Sequence, residues 1–453
     1  MVSLAGAAFD KTPLAIHDTR SDNMLQARWP QSRTSNPRLI TRGIALGAIT
    51  VLAACAGSAV EPPSSARAAA LTELPRALTP SEHSVLSASN AYSFALWKTI
   101  NEDQRDSNVF VSPLSASFAL GMTMNGANGP TYDEMRSALR FGDASLGAID
   151  SGYKSLIGLL TSLDPSTTMQ VANAIFYRSG FAFNQNFLND AASYFDAEIN
   201  AENFGDVKAT LSAVNGWADA KTKGRIPKVL DAVDPGDVMY LLNAIYFKGT
   251  WRDRFDPALT RDAAFHAATG GDQPAKLMSR EGTMSYAETN TYQAVDLPYG
   301  DSAFTMTVLL PKPGTDVESL AASLTPESWN ALATRFHSTK VALSLPKVTF
   351  SWKRSLINDM KAQGMRLAFE PGRADFTRLS PAGKDLYISL LQQNTFVKVD
   401  EEGTEAAAVT TVGITLTAAP QVTTMRVDRP YVFVIRERLS GTVLFMGKIA
   451  RLP

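Results

Sequence analysis

Between Ala406 and Met425 the chain carries no charged residue, directly behind the acidic run Asp400-Glu401-Glu402-Gly403-Thr404-Glu405. Six threonines together with Pro420 and Gln421 argue against a membrane span for this stretch. It is also too long for one strand, which usually has roughly 3–10 residues, and it holds no clear hairpin turn before Pro420. Read with period two, Thr404, Ala406, Ala408, Thr410 and Val412 share one face, all small or β-branched. A segment of this kind can enter a sheet with little steric penalty, and Gly403 gives it a pivot. A long, uncharged, strand-competent loop is normally an aggregation hazard. Its presence points to a segment whose role is to become a strand.

The rest of the chain divides by periodicity. Glu82 to Gln104 places Val85, Leu86, Tyr92, Leu96 and Ile100 at near-helical spacing. Ser112-Pro113 starts a second helix, with serine as cap and proline in the first turn. Further helices are predicted over Thr131 to Phe141, Leu146 to Leu163 and Val207 to Lys223. The second half is strand-rich: Met239 to Lys248, Phe304 to Leu310, Val341 to Phe350, Leu386 to Asp400, Tyr431 to Arg436 and Thr442 to Ile449. Several of these runs are almost continuously apolar, as in strands covered on both faces. The class is α+β. With 453 residues, no second linker after Pro80 and no internal repeat, residues 80–453 form one large domain.

The N-terminal segment has a different character. Arg38 and Arg42 precede the apolar run Gly43–Ala54, which ends Leu52-Ala53-Ala54-Cys55. Basic residues, a short apolar run and small residues describe an export signal over residues 1–54, too short to span a bilayer. The ending resembles a bacterial lipobox, which makes Cys55 a lipidation site and the protein an exported, membrane-anchored lipoprotein, at the outer membrane or outside the cell. The alternative is a plain signal peptide cut nearby, with Cys55 a bystander. Met24 is an alternative start. Residues 55–79, rich in Ala, Ser, Pro and Glu, form a flexible tether.

Composition narrows the chemistry. A net charge of -1 offers no basic field for nucleic acid, and one cysteine with four histidines leaves little for a metal site. No cofactor is expected. Neither a nucleophile elbow, a zinc-protease motif, a Walker loop nor a dinucleotide glycine fingerprint occurs. One Ser-x-x-Lys exists at Ser151–Lys154, but its companion triplet Ser21-Asp22-Asn23 stands in the wrong order and no Lys-Thr-Gly follows. A surface helix explains it better than a hydrolase. No catalytic residue is expected.

A set of short blocks identifies a family. Asn108-Val109-Phe110-Val111-Ser112-Pro113-Leu114-Ser115, Asn173-Ala174-Ile175-Phe176, Val214-Asn215-Gly216-Trp217 and Lys223-Gly224-Arg225-Ile226-Pro227 come first. Leu242-Asn243-Ala244-Ile245-Tyr246-Phe247-Lys248-Gly249-Thr250-Trp251, the acidic hinge, Arg429-Pro430-Tyr431-Val432-Phe433 and Leu444-Phe445-Met446-Gly447-Lys448-Ile449 complete them. Each block is weak alone; in this order and spacing they resemble a serpin, most nearly a bacterial, inhibitory-type one. The resemblance implies a serpin fold, with three β-sheets, eight or nine helices and an exposed reactive-centre loop. It implies a suicide-type inhibitor, a monomer, whose loop is cut by a serine protease, holds that protease as a covalent acyl-enzyme and inserts into the central sheet. The alternative is a non-inhibitory serpin acting as a cell-surface binding protein.

By the same resemblance Glu401, Gly403, Thr404, Glu405, Ala406, Ala407 and Ala408 are the hinge, and Trp251 marks the breach where a loop first enters. Ser112, Ser115, Asn243 and Gln393 form the shutter beneath the opening sheet; Gln393 stands where many relatives carry histidine. The usual hinge count, begun at Glu401, sets the reactive bond between Thr417 and Ala418, whereas counting back from Arg429-Pro430 favours Ala419. A small uncharged residue there suits an elastase-like or subtilisin-like target. Heparin is not an expected partner, because Leu146 to Leu163 offers only Lys154 as a base and carries Asp150. The membrane is reached only through the lipid at Cys55.

Overall fold

A computed structural model describes residues 1–6, 69–404 and 422–453, all within one unit made of Met1–Phe9 and Ala69–Pro453. Cys55, Glu405, Ala406, Ala407, Ala408, Thr417 and Ala418 lie outside the described residues.

Nine α-helices occur among the described residues: α1 Pro80–Asp103, α2 Pro113–Met124, α3 Gly129–Ala138, α4 Leu146–Ser162, α5 Gln185–Phe195, α6 Val207–Lys221, α7 Val317–Ser323, α8 Pro326–Ala333 and α9 Ile357–Ala362. Local sequence explains where the first two begin. Thr79 caps α1 in a reciprocal box with Glu82, and Pro80 occupies its first position. Ser112 caps α2, with Pro113 following. α2 is buried along its whole length, and a β-carbon on Gly121 would lie only 2.6 Å from the Tyr153 ring.

The strands, in chain order, are β1 Val2–Gly6, β2 Val109–Val111, β3 Thr168–Arg178, β4 Ala197–Glu202, β5 Asp237–Thr250, β6 Arg261–His266, β7 Asp272–Glu288 and β8 Tyr292–Pro298. There follow β9 Phe304–Pro311, β10 His337–Pro346, β11 Val348–Ser355, β12 Leu386–Val399, β13 Gly403–Thr404, β14 Thr423–Arg426, β15 Tyr431–Glu437 and β16 Val443–Ile449. Among the described residues their ladders join into two sheets, of seven and nine strands, where the resemblance implies three. The join is physical: β7 pairs with β6, β8 and β10, so the long strand carries one continuous ladder through what would otherwise be separate layers. A second difference concerns Val341 to Phe350, expected as one strand. The chain breaks after Pro346 and sends β10 into the larger sheet and β11 into the smaller.

The seven-stranded sheet positions the site. β11, β12, β13, β5, β3 and β4 lie side by side, and β1 joins both β12 and β5. β1 is antiparallel to each, so β5 and β12 run in the same direction. Both faces of the sheet are covered. Helices α1, α2 and α4 belong to the main core on one side, whereas Trp217 and Val214 of α6 pack with Phe176, Tyr240 and Leu242 in a second apolar cluster. Two-sided cover explains the near-continuous burial of Asp237–Leu242 in β5.

Candidate functional site: the gap between two central strands

Strands β5 and β12 are bridged, not paired, among the described residues. At one end Gly403 and Thr404 of β13 face Thr250 and Gly249, while Thr404 also faces Val399. At the other end β1 lies between the two strands. A cavity of about 70 Å³ remains between them, bordered by Met1, Asn243, Ile245, Gln393, Thr395 and Thr404.

The N-terminus of α2 sits beneath this gap and ties to each strand separately. On the β12 side, the Ser112 N–H donates to Gln393 Oε1 at 2.8 Å, and Gln393 Nε2 donates back to the Ser112 carbonyl at 2.8 Å. The Ser112 hydroxyl donates to the Leu444 carbonyl of β16 at 2.8 Å. On the β5 side, one turn later, the Ser115 hydroxyl donates to Asn243 Oδ1. Asn243 passes the chain on through Nδ2 to Asn173 Oδ1 of β3 at 2.7 Å, and Asn173 donates to the Phe195 carbonyl at 2.6 Å. The structure thus brings Ser112, Ser115, Asn243 and Gln393 together. Buried polar groups need partners, and here each partner belongs to a different element. Moving β5 away from β12 must break or exchange these bonds.

Trp251 closes the opposite end. Its indole N–H donates to the Asp400 carbonyl at 2.8 Å, and its ring stacks on Tyr299 with centroids 4.5 Å apart. The Tyr299 hydroxyl in turn meets Thr404 Oγ1 at 2.7 Å, buried. The backbone N–H groups of Trp251 and Phe255 donate to the carbonyls of Glu402 and Glu401, at 2.8 and 3.0 Å. Glu401 accepts from Lys347 Nζ at 2.6 Å and from the Thr260 hydroxyl at 2.8 Å. Burial works to raise the Glu401 carboxyl, but the bonds from Lys347 and Thr260 outweigh it and hold its pKa below the ordinary value. The chain is therefore anchored at Asp400, Glu401 and Glu402, and becomes strand at Gly403.

Sequence reasoning passed over Asn173, Tyr299, Thr395 and Lys347. Asn173 and Thr395 carry a usable signal, since a polar residue inside an otherwise buried strand requires a partner; the Thr395 hydroxyl donates to the Phe110 carbonyl. Nothing in the sequence marks Tyr299 or Lys347. Ser151 and Lys154 both lie exposed on α4. Among the described residues no cluster of His, Cys, Asp or Glu could hold a metal, and no helix is long and apolar enough to cross a membrane.

Comparison with known proteins agrees with this architecture. A family model described as Serpin (serine protease inhibitor) matches residues 87–452. Serpin B8 of Homo sapiens is 32% identical over 371 residues, covering 80% of this chain and 98% of its own. Among solved structures, the native state of the thermophilic serpin tengpin aligns with a TM-score of 0.74 at 30% identity, covering 85% of this chain and 97% of that one. Human thyroxine-binding globulin complexed with thyroxine gives 0.75 at 26%, covering 82% and 99%. Native protease nexin-1 with heparin gives 0.72 at 25%, covering 82% and 100%.

Proposed function

Because this chain belongs to the serpin family, we propose that it is an irreversible suicide-type inhibitor of serine proteases of the elastase-like or subtilisin-like kind. Membership of the family classes it as a protease-inhibitor protein, not an enzyme. One observation carries the inhibitory reading. β13 is already seated between β5 and β12, ahead of a gap in which β5 and β12 are not paired with each other. A strand growing onward from Thr404 would find backbone partners on both sides.

In this reading the protease serine attacks the Thr417 carbonyl. The peptide bond to Ala418 breaks, the Ala418 amine leaves with the proton, and an ester joins the protease to Thr417. The freed loop, led by Glu405, Ala406, Ala407 and Ala408, then zips into the gap and carries the protease with it. Roughly ten new ladder bonds at about 1 kcal/mol net each rival the whole stability of an ordinary domain, about 5–15 kcal/mol. A lipid on Cys55 would hold this inhibitor outside the cell, at the membrane surface.

The specificity residue set by the hinge count, Thr417, is small and uncharged, and Leu416 could serve only if the register moved by one. No basic or aromatic residue lies between Ala406 and Met425. Trypsin-like pockets need lysine or arginine. Mass spectrometry of the C-terminal fragment released by subtilisin should show a start at Ala418, and Thr417→Arg should move inhibition toward trypsin. A fragment beginning outside the Thr417–Pro420 interval, or faster trapping of trypsin than elastase by the unaltered chain, contradicts the assignment.

The likeness to thyroxine-binding globulin supports a second reading, a non-inhibitory binding protein at the cell surface. Cleavage with no adduct and no gain in heat stability, in the chain with and without Met1–Gly6, favours it.

A further inference from the structure

β1 lies in the lower part of the gap between β5 and β12. Val2 faces Leu391 on one side and Leu241 on the other, Ser3 faces Leu390 and Tyr240, and Leu4 faces Ile388 and Met239. The side chains alternate as in any strand covered on both faces. Val2 and Leu4 are fully buried in the main core, while Met1 joins the cluster of Trp217, Phe176 and Leu242 on the other side. The ladder continues to Met1, whose carbonyl accepts from the Gln392 N–H at 2.8 Å.

The register of β13 says what else belongs in that place. Thr404 faces Val399 and Gly249. An antiparallel ladder continued from Thr404 without a bulge sets Val412 opposite Leu391 and Leu241, the two residues that Val2 already faces. Ile414 would then face Met239, which is taken by Leu4. The sequences match in kind: Val2-Ser3-Leu4 and Val412-Gly413-Ile414 are each apolar, small, apolar. The same two apolar positions fill the same two sites.

We propose that β1 is an intramolecular plug, occupying the far end of the track that the reactive loop must fill and holding the chain in a state that cannot complete insertion. This rests on the insertion reading above. With β1 in place, a loop entering behind Thr404 runs into Met1 before Val412 reaches its partners. The tethered protease is carried only part of the way and has time to hydrolyse the ester, so the chain behaves as a substrate. Any cut between Gly6 and α1 detaches the plug, including the leader cut expected before Cys55. Export would then release an inhibitor that its precursor restrains.

The test compares the full chain, a chain lacking Met1–Gly6, and the full chain carrying Val2→Asp and Leu4→Asp, which evicts the strand without shortening the protein. Each is titrated against subtilisin. The truncated and doubly substituted chains should consume severalfold fewer inhibitor molecules per protease trapped. A second readout is independent of inhibition: the hexapeptide Met-Val-Ser-Leu-Ala-Gly should bind the truncated chain and raise its Tm toward that of the full chain, and the same peptide with both aspartates should not. Absence of hexapeptide binding, or trapping that occurs and is equal in all three chains, overturns the plug. Peptide binding with no trapping by any chain leaves the strand as the occupant of the gap and removes the inhibitory reading instead.

Discussion

A β-carbon on residue 403 would lie 2.8 Å from the Thr250 Cα and closer still to the Gly249 carbonyl oxygen, in a backbone whose φ of 154° already disfavours side chains. Glycine is what lets the anchored acidic turn become a strand there. Gly403→Val should cost about 1–3 kcal/mol of stability and detach β13, turning trapping into plain cleavage. Denaturant melts and adduct gels read both effects; unchanged stability with undiminished trapping contradicts the role. Gln393 shows a different economy. Its amide donates and accepts at once, so it satisfies both backbone groups of Ser112 without carrying a charge that titrates near neutral pH. Val409, bulkier than the alanines before it, still favours a strand.

The start of α1 couples a helix cap to pH. Glu82 accepts from Nη1 and Nη2 of Arg76, at 2.7 and 2.5 Å, from the Thr79 N–H at 2.7 Å and from the Ser155 hydroxyl at 2.7 Å. The hydrogen bonds from Arg76 lead, against burial, in lowering its pKa from 4.5 to about 2. The folded state therefore prefers the ionised form. Its contribution is complete above about pH 4.5 and is lost as pH falls through about 2. Glu82→Gln should cost about 1–3 kcal/mol near neutral pH, and the gap to the unaltered chain should close over that acid range; a pH-independent gap contradicts the coupling. Elements with local signals were legible in the sequence. The Ser112-Pro113 start of α2 and the periodicity of α1 depend on neighbours in the chain, and both appear in place. The break at Pro346 was not legible, because period two specifies a face and not a sheet. β1 was hidden more deeply: its strand character comes from partners at Asp237–Leu241 and Leu386–Leu391, which no local pattern in Val2–Gly6 can announce.

At the scale of the whole molecule, the residues read as a site are scattered along the chain and meet only because the smaller sheet leaves β5 and β12 bridged at two points. Ser112 with Gln393 and Ser115 with Asn243 tie α2 to both strands, Trp251 anchors the chain at Asp400, and β1 holds the remaining end. Each of these features gains meaning from insertion, and insertion makes the central claim measurable in one step. The chain freed of Met1–Gly6 is mixed with subtilisin, and the products are separated under denaturing conditions. The account predicts a covalent band heavier than either partner. A chain cleaved in full with no heavier band, and no more resistant to heat than before the cut, would contradict it.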